Sequence, residues 1–127
     1  MPMIVGTEWL IEATGCSEAM LRDEAVLRRI FSQIIRDLDL KTISEIWHKF
    51  EGEGGVTGLV ALTESHLTCH TYPEYKTASF NLYCCRTRPE WDWTKKLAES
   101  LGAQDVSIRR IDRGNSLVQK QIAGGEL

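Results

Sequence analysis

Gly58-Leu59-Val60-Ala61-Leu62-Thr63-Glu64-Ser65-His66-Leu67-Thr68-Cys69-His70-Thr71-Tyr72-Pro73-Glu74 is the stretch on which the rest of the chain turns. Its opening, Gly58 to Thr63, is a short and almost wholly apolar run, which predicts a strand buried on both faces. That strand delivers Glu64 and Ser65 at its end. Pro73 forbids regular structure through the bend that follows, and Ala78 to Cys85 resumes as a strand. Between Glu64 and Cys85 the chain gathers a hydroxyl nucleophile, the imidazoles of His66 and His70, two carboxylates and three thiols.

Just upstream, Ile43 to Phe50 reads as a strand joined to Gly58–Thr63 by the hairpin loop Glu51-Gly52-Glu53-Gly54-Gly55. Upstream, Leu27, Ile30, Phe31, Ile34, Ile35 and Leu38 recur at three- and four-residue spacing, the mark of an amphipathic helix. Arg28, Arg29, Gln33, Arg36 and Asp37 take its wet side, with Asp23 as N-cap. Thr7 to Ala13 alternates, Glu8, Leu10 and Glu12 against Trp9, Ile11 and Ala13, and predicts a first strand closed by the turn Thr14-Gly15-Cys16-Ser17. Downstream, Pro89 and Asp92 introduce a helix that turns Trp93, Leu97, Ala98 and Leu101 inward and stops at Gly102. Gln104 to Asp112 is the last strand, with Val106 and Ile108 on one face; past Gly114 the pattern fades, and residues 123–127 read as a loose tail.

The order is strand, helix, three strands, helix, strand, with no internal repeat. This predicts an α+β two-layer sandwich: a mainly antiparallel sheet with helices on one face. The other face needs a cover, and a second copy of the chain is the simplest one.

A chain of 127 residues fits one domain, residues 1–127, and 43% hydrophobic with 26% charged residues is the composition of a globular protein. A net charge of −3 argues against nucleic acid as partner, and Arg109, Arg110 and Arg113 read as a solvated edge. No apolar run reaches the roughly 18 residues of a membrane span. The start, Met1 to Gly6, has neither the basic nor the apolar segment of a secretion signal. A cytoplasmic protein is therefore expected, with Cys16, Cys69, Cys84 and Cys85 as reduced thiols.

Three chemistries compete for the central stretch. A hydroxyl becomes nucleophilic beside a base, and a bend after Ser65 could return His66 or His70 to it. A serine hydrolase lacks its Gly-x-Ser-x-Gly elbow here. A zinc site could draw on His66, Cys69, His70, Cys84 and Cys85. However, no Cys-x-x-Cys pair exists, and Cys84 and Cys85 point to opposite faces of a strand, so no metal is expected. The same alternation puts Cys84 with Phe80 and Leu82 as a packed thiol, and Cys85 with Ser79, Asn81 and Tyr83 on the polar face.

Glu64-Ser65-His66, then His70-Thr71-Tyr72-Pro73-Glu74-Tyr75, then the strand ending at Cys85, resembles the short prokaryotic S-adenosylmethionine decarboxylases from about Gly6 to Gly114. The resemblance implies a proenzyme that cuts itself between Glu64 and Ser65 into fragments 1–64 and 65–127. Ser65 attacks the preceding carbonyl to form an ester. Elimination and hydrolysis then turn it into a pyruvoyl group, a ketone that forms a Schiff base with the substrate amine and serves as electron sink. It further implies that His70 takes the α-proton of the former serine, and that Cys85 reprotonates the substrate carbanion. The implied product is the aminopropyl donor for spermidine, made by a homodimer packed as an αββα sandwich with its sites near the interface. Glu8, Glu12, Tyr72 and Glu74 are available to a cationic sulfonium.

Four positions depart from the family pattern: Tyr72 for tryptophan, Asn81 for aspartate, Cys84 for threonine and Arg86 for glycine. Asn81, a candidate substrate contact, removes a negative charge, and Arg86 adds a positive one that suits a carboxylate. These keep open a pyruvoyl-dependent decarboxylase of arginine or ornithine. A non-enzymatic metal-binding or interaction domain that never cleaves is the remaining alternative.

Overall fold

A computed structural model describes residues 3–114, which form six strands and three helices, one strand and one helix more than these patterns predict. The strands are β1 (Gly6–Thr14), β2 (Thr42–Lys49), β3 (Val56–Leu62), β4 (Ser65–Tyr72), β5 (Thr77–Cys84) and β6 (Asp105–Arg113). They form one sheet in the order β2-β3-β4-β5-β1-β6, and every pairing is antiparallel. The helices are α1 (Glu18–Leu21), α2 (Glu24–Asp37) and α3 (Trp93–Leu101), and a 3₁₀ turn spans Pro73–Tyr75. The α+β sandwich layer is as expected. Residues 123–127, expected as a loose tail, lie outside the described residues.

α2 begins where Asp23 accepts from the Ala25 N–H at 3.0 Å and buries Val26, Leu27, Ile30, Phe31 and Ile34 against the sheet. α3 is capped by Asp92 at Lys95 N, buries Trp93, Leu97 and Leu101, and ends at Gly102, whose φ of 69° is the left-handed conformation glycine adopts freely. Between helices and sheet lie Trp9, Ile11, Phe31, Phe80 and Trp93, with Phe80 tilted against both Phe31 and Trp93. Trp91 meets Trp93 edge-on and donates its indole N–H to Asp37 at 2.9 Å, tying the approach to α3 onto the end of α2.

Four expectations need correction. Ser65–Tyr72 is a central strand, not an irregular bend: Leu67, Cys69 and Thr71 are buried while His66, His70 and Tyr72 are exposed, a period of two. Leu62 pairs with Ser65, so Thr63 and Glu64 alone make a two-residue hairpin turn. Gly58–Thr63 is not covered on both faces, for Leu59 on the open side is 42% exposed beside Ile46 of β2 at 63%. Ala98 is exposed rather than inward. α1 was not anticipated; four residues show no periodicity, although Ser17 caps it at Met20 N.

The sheet therefore has a helix-covered face and an open face. Glu8, Glu12, Ser79, Asn81, Tyr83, His66 and His70 stand on the open one, by alternation with the buried residues of their strands. No helix among the described residues is long and apolar enough to cross a membrane.

Candidate active site

The tight turn at Thr63–Glu64 makes Ser65 the first residue of β4, with β5 beside it. Just past the end of β5, the Cys85 backbone N–H donates to the Glu64 carbonyl oxygen at 2.8 Å. The carbonyl preceding Ser65 is thus already polarised by a fixed dipole. A donor in that position stabilises negative charge on the oxygen when a nucleophile adds to the carbon.

Ser65 lies opposite Cys84 in the register and faces the helix side with it. Burial pushes the Cys84 thiol up from its ordinary pKa; nearby Arg88 and a hydrogen bond with Ser65 act in the opposite direction. Both residues line a cavity of about 670 Å³, together with Lys41, Glu64, Arg86 and Arg88. The Glu64 carboxylate is ion-paired with Arg86. Cys85 is exposed and lines a separate, smaller cleft with Thr7, Trp9 and Asp112. The alternation of Cys84 and Cys85 is as the sequence predicts. It also makes Cys84 the thiol paired across the strands from Ser65.

His70 is not brought back to Ser65. Five residues of extended strand put them about 17 Å apart, and five being odd, on opposite faces. His70 Nδ1 is instead 3.1 Å from the Thr57 hydroxyl on the neighbouring strand. Sequence reasoning missed Thr57. Its signal was available once β4 is read as a strand, because a two-residue turn at Thr63–Glu64 pairs Thr57 directly with His70. Around this pair, Phe50, Glu51, Glu53, Tyr72 and Glu74 line a cavity of about 480 Å³, at the end of the sheet remote from Ser65.

A second group stands on the open face nearer Ser65. Asn81 Nδ2 donates to Glu8 at 2.7 Å, Arg113 reaches the other Glu8 oxygen at 2.9 Å, and His66 stacks on Tyr83 with centroids 5.6 Å apart. The Asn81 hydrogen bond, followed by Arg113, holds the Glu8 carboxyl below its ordinary pKa against the opposing effect of burial. Because the folded value is depressed, the stabilisation is present above the unfolded pKa and is lost as pH falls through the folded one. Glu8→Gln should therefore flatten the acid limb of a urea-melt stability profile below about pH 4.5 and leave the profile near neutrality unchanged in slope. An unaltered acid limb would count against the pairing.

Of the candidate substrate contacts, Glu8 and Asn81 are thus in one group, and Tyr72 and Glu74 are in the other, beside His70. The zinc reading fails on the same geometry: His66 and His70 face outward while Cys69 and Cys84 are buried on the other side. The one implied cofactor is a group made from the chain itself. The residues fit it: a serine at a tight turn, a donor on the preceding carbonyl oxygen, and a buried thiol at the hydroxyl.

A family model described as S-adenosylmethionine decarboxylase matches residues 7–114. Among curated proteins, the S-adenosylmethionine decarboxylase proenzyme of Clostridium tetani is 35% identical, covering 87% of each chain. The proenzyme of the same name from Archaeoglobus fulgidus is 32% identical over 88% of this chain and all of its own. The crystal structure of the adenosylmethionine decarboxylase from Aquifex aeolicus superposes with a TM-score of 0.76 at 22% identity, covering 87% of this chain and 92% of that one, a likeness of fold.

Proposed function

The chain belongs to the S-adenosylmethionine decarboxylase family, and from that membership we propose that it is a self-processing, pyruvoyl-dependent decarboxylase of S-adenosyl-L-methionine. It would supply the aminopropyl donor for spermidine, in the cytoplasm. The observation that carries the reading is the Cys85 N–H on the Glu64 carbonyl oxygen, at the peptide bond that precedes the Ser65 hydroxyl.

Ser65 Oγ adds to the Glu64 carbonyl carbon, and charge collects on the oxygen that Cys85 N–H already holds. The C–N bond breaks, the amine takes up the proton, and an ester links Glu64 to Ser65. Removal of the α-proton of residue 65 expels Glu64 as a carboxylate and leaves dehydroalanine. Tautomerisation and hydrolysis give the ketone and ammonia. When formed, the ketone supplies an electron sink for loss of carbon dioxide.

The base for the α-proton is His70 of a second copy, since the chain's own His70 is at the far end of β4. In a strand, the Cα–H bond leans away from the side chain's face. The hydroxyl of Ser65 faces the helices, so its α-hydrogen leans toward the open face that a second copy would cover. A homodimer in the αββα arrangement, related by a two-fold axis, would bring each His70, Thr57, Tyr72 and Glu74 toward the partner's Ser65, Glu8 and Asn81. Fragments 1–64 and 65–127 stay together because β4 keeps its ladders with β3 and β5. In turnover, Cys85 is the proton donor, a thiol free of the core and one residue from the Ser65 partner.

Two contacts bear on the arginine or ornithine alternative. Arg86 is occupied by Glu64, and Asn81 holds Glu8 as an anion on the site's face. Purified chain should release labelled carbon dioxide from carboxyl-labelled S-adenosylmethionine and not from arginine or ornithine. Release from either amino acid at a comparable rate would overturn the substrate assignment while leaving self-processing intact.

A further inference from the structure

The cavity beside Ser65 holds more positive charge than the intact chain uses. Lys41, Arg86 and Arg88 face Asp39 and Glu64 there, three cations against two carboxylates. Arg86 is paired with Glu64. Arg88 is not so placed: its Nε is buried without a hydrogen-bond partner, and its guanidinium donates to its neighbour's Thr87 carbonyl at 3.3 Å. Neither Arg88 nor Lys41 is in an ion pair among the described residues. A buried guanidinium N–H left without an acceptor is costly and persists when some state of the protein satisfies it.

Scission at Glu64–Ser65 creates one new carboxylate, and creates it on a residue that lines this cavity. We propose that Arg88, with Lys41 beside it, receives the α-carboxylate of Glu64 as that group leaves, and so accelerates the elimination step of self-processing. The proposal rests on the reading of Ser65 as the site of self-cleavage. In the elimination, a base removes the α-proton of residue 65, the Cα–Cβ double bond forms, and the Cβ–O bond breaks. Its electron pair stays with the departing Glu64 carboxylate. A guanidinium takes up a carboxylate through two parallel N–H donors, which ammonium cannot match. The same contact holds the new terminus away from the fresh ketone and keeps fragment 1–64 seated. After cleavage the cavity holds three cations and three carboxylates.

The test separates the two steps of processing. Wild type, Arg88→Gln, Arg88→Lys, Lys41→Gln and the exposed control Arg109→Gln are purified as full chains, checked for folding by circular dichroism, and followed by intact mass. Each sample is split and treated with hydroxylamine, which cuts an ester at Glu64 and leaves an amide intact. Arg88→Gln should accumulate a hydroxylamine-sensitive chain of full-length mass, with elimination slowed about tenfold or more. Arg88→Lys should recover part of the rate, Lys41→Gln should show a smaller version of the same block, and Arg109→Gln should behave as wild type.

Elimination at the wild-type rate in Arg88→Gln, or equal slowing of ester formation and elimination, overturns the proposal with self-cleavage still standing. If Arg88→Gln does not fold, the Arg88→Lys and Lys41→Gln chains decide by the same readout. A wild type that never cleaves overturns both this proposal and the function it rests on.

Discussion

Ser65→Ala, uncleaved when made alone, and His70→Ala, cleaved only slowly alone, should yield cleaved protein at a faster rate when folded together, and the chain that is cut should be the one carrying His70→Ala. The expectation follows from β4 being a continuous strand. Its own His70 is remote from Ser65 and faces the other way, which is why the proposed base is the His70 of a second copy. Alone, Ser65→Ala has no nucleophile and stays whole indefinitely. His70→Ala retains the nucleophile, the Cys84 contact and the Cys85 donor, and should be slowed by about 10²- to 10⁴-fold, the usual worth of a positioned base. In the mixture, a dimer of one chain of each kind has a single intact site: Ser65 from the His70→Ala chain and His70 from the Ser65→Ala chain. Random pairing puts about half of the His70→Ala chains into such dimers, so about half should be cut. Tags of different mass identify the cut chain. Mixed dimers that form and remain whole would place the base within one chain and refute the composite site.

The second large effect divides the adjacent thiols. Cys85→Ala keeps its backbone N–H, so self-cleavage should proceed at close to the wild-type rate, while loss of the proposed proton donor should lower decarboxylation by about 10²- to 10⁴-fold. Cys85→Pro removes the N–H that holds the Glu64 oxygen and should slow ester formation by about 10²- to 10³-fold. Cys84→Ala should do the reverse of Cys85→Ala: it releases the Ser65 hydroxyl and slows cleavage, while chain already cleaved turns over normally. Paired assays of cleavage and carbon dioxide release read both steps. Normal turnover by Cys85→Ala, or its loss in Cys84→Ala alone, would reassign the proton donor to the buried thiol.

Where one residue type in one period fixed the outcome, the chain was readable. The apolar spacing of Leu27 to Leu38 and the cap at Asp23 give α2, and alternation from Thr7 to Ala13 gives β1 with Trp9, Ile11 and Ala13 inward. The same alternation correctly sorted Cys84 from Cys85. β4 was harder because its residues carry chemistry. Two histidines, a serine and a cysteine before a proline look like a loop, yet Leu67, Cys69 and Thr71 fill every second position. That error carried a second one with it. Reading a bend placed His70 beside Ser65 and hid its partner Thr57, which only the hairpin register reveals. Gly58–Thr63 was over-read in the opposite direction: apolar residues on both faces implied cover on both, and one chain covers only one. No local pattern announces that Arg88 shares a cavity with Ser65, because the two are 23 positions apart and meet only in the folded chain.

The most direct measurement is the intact mass of the purified chain, taken before and after borohydride reduction. The account predicts two fragments, one ending at Glu64 and one whose first residue is a ketone that borohydride reduces to an alcohol. A single full-length mass after prolonged incubation, or a second fragment that begins with unchanged serine and takes up no hydride, would contradict it.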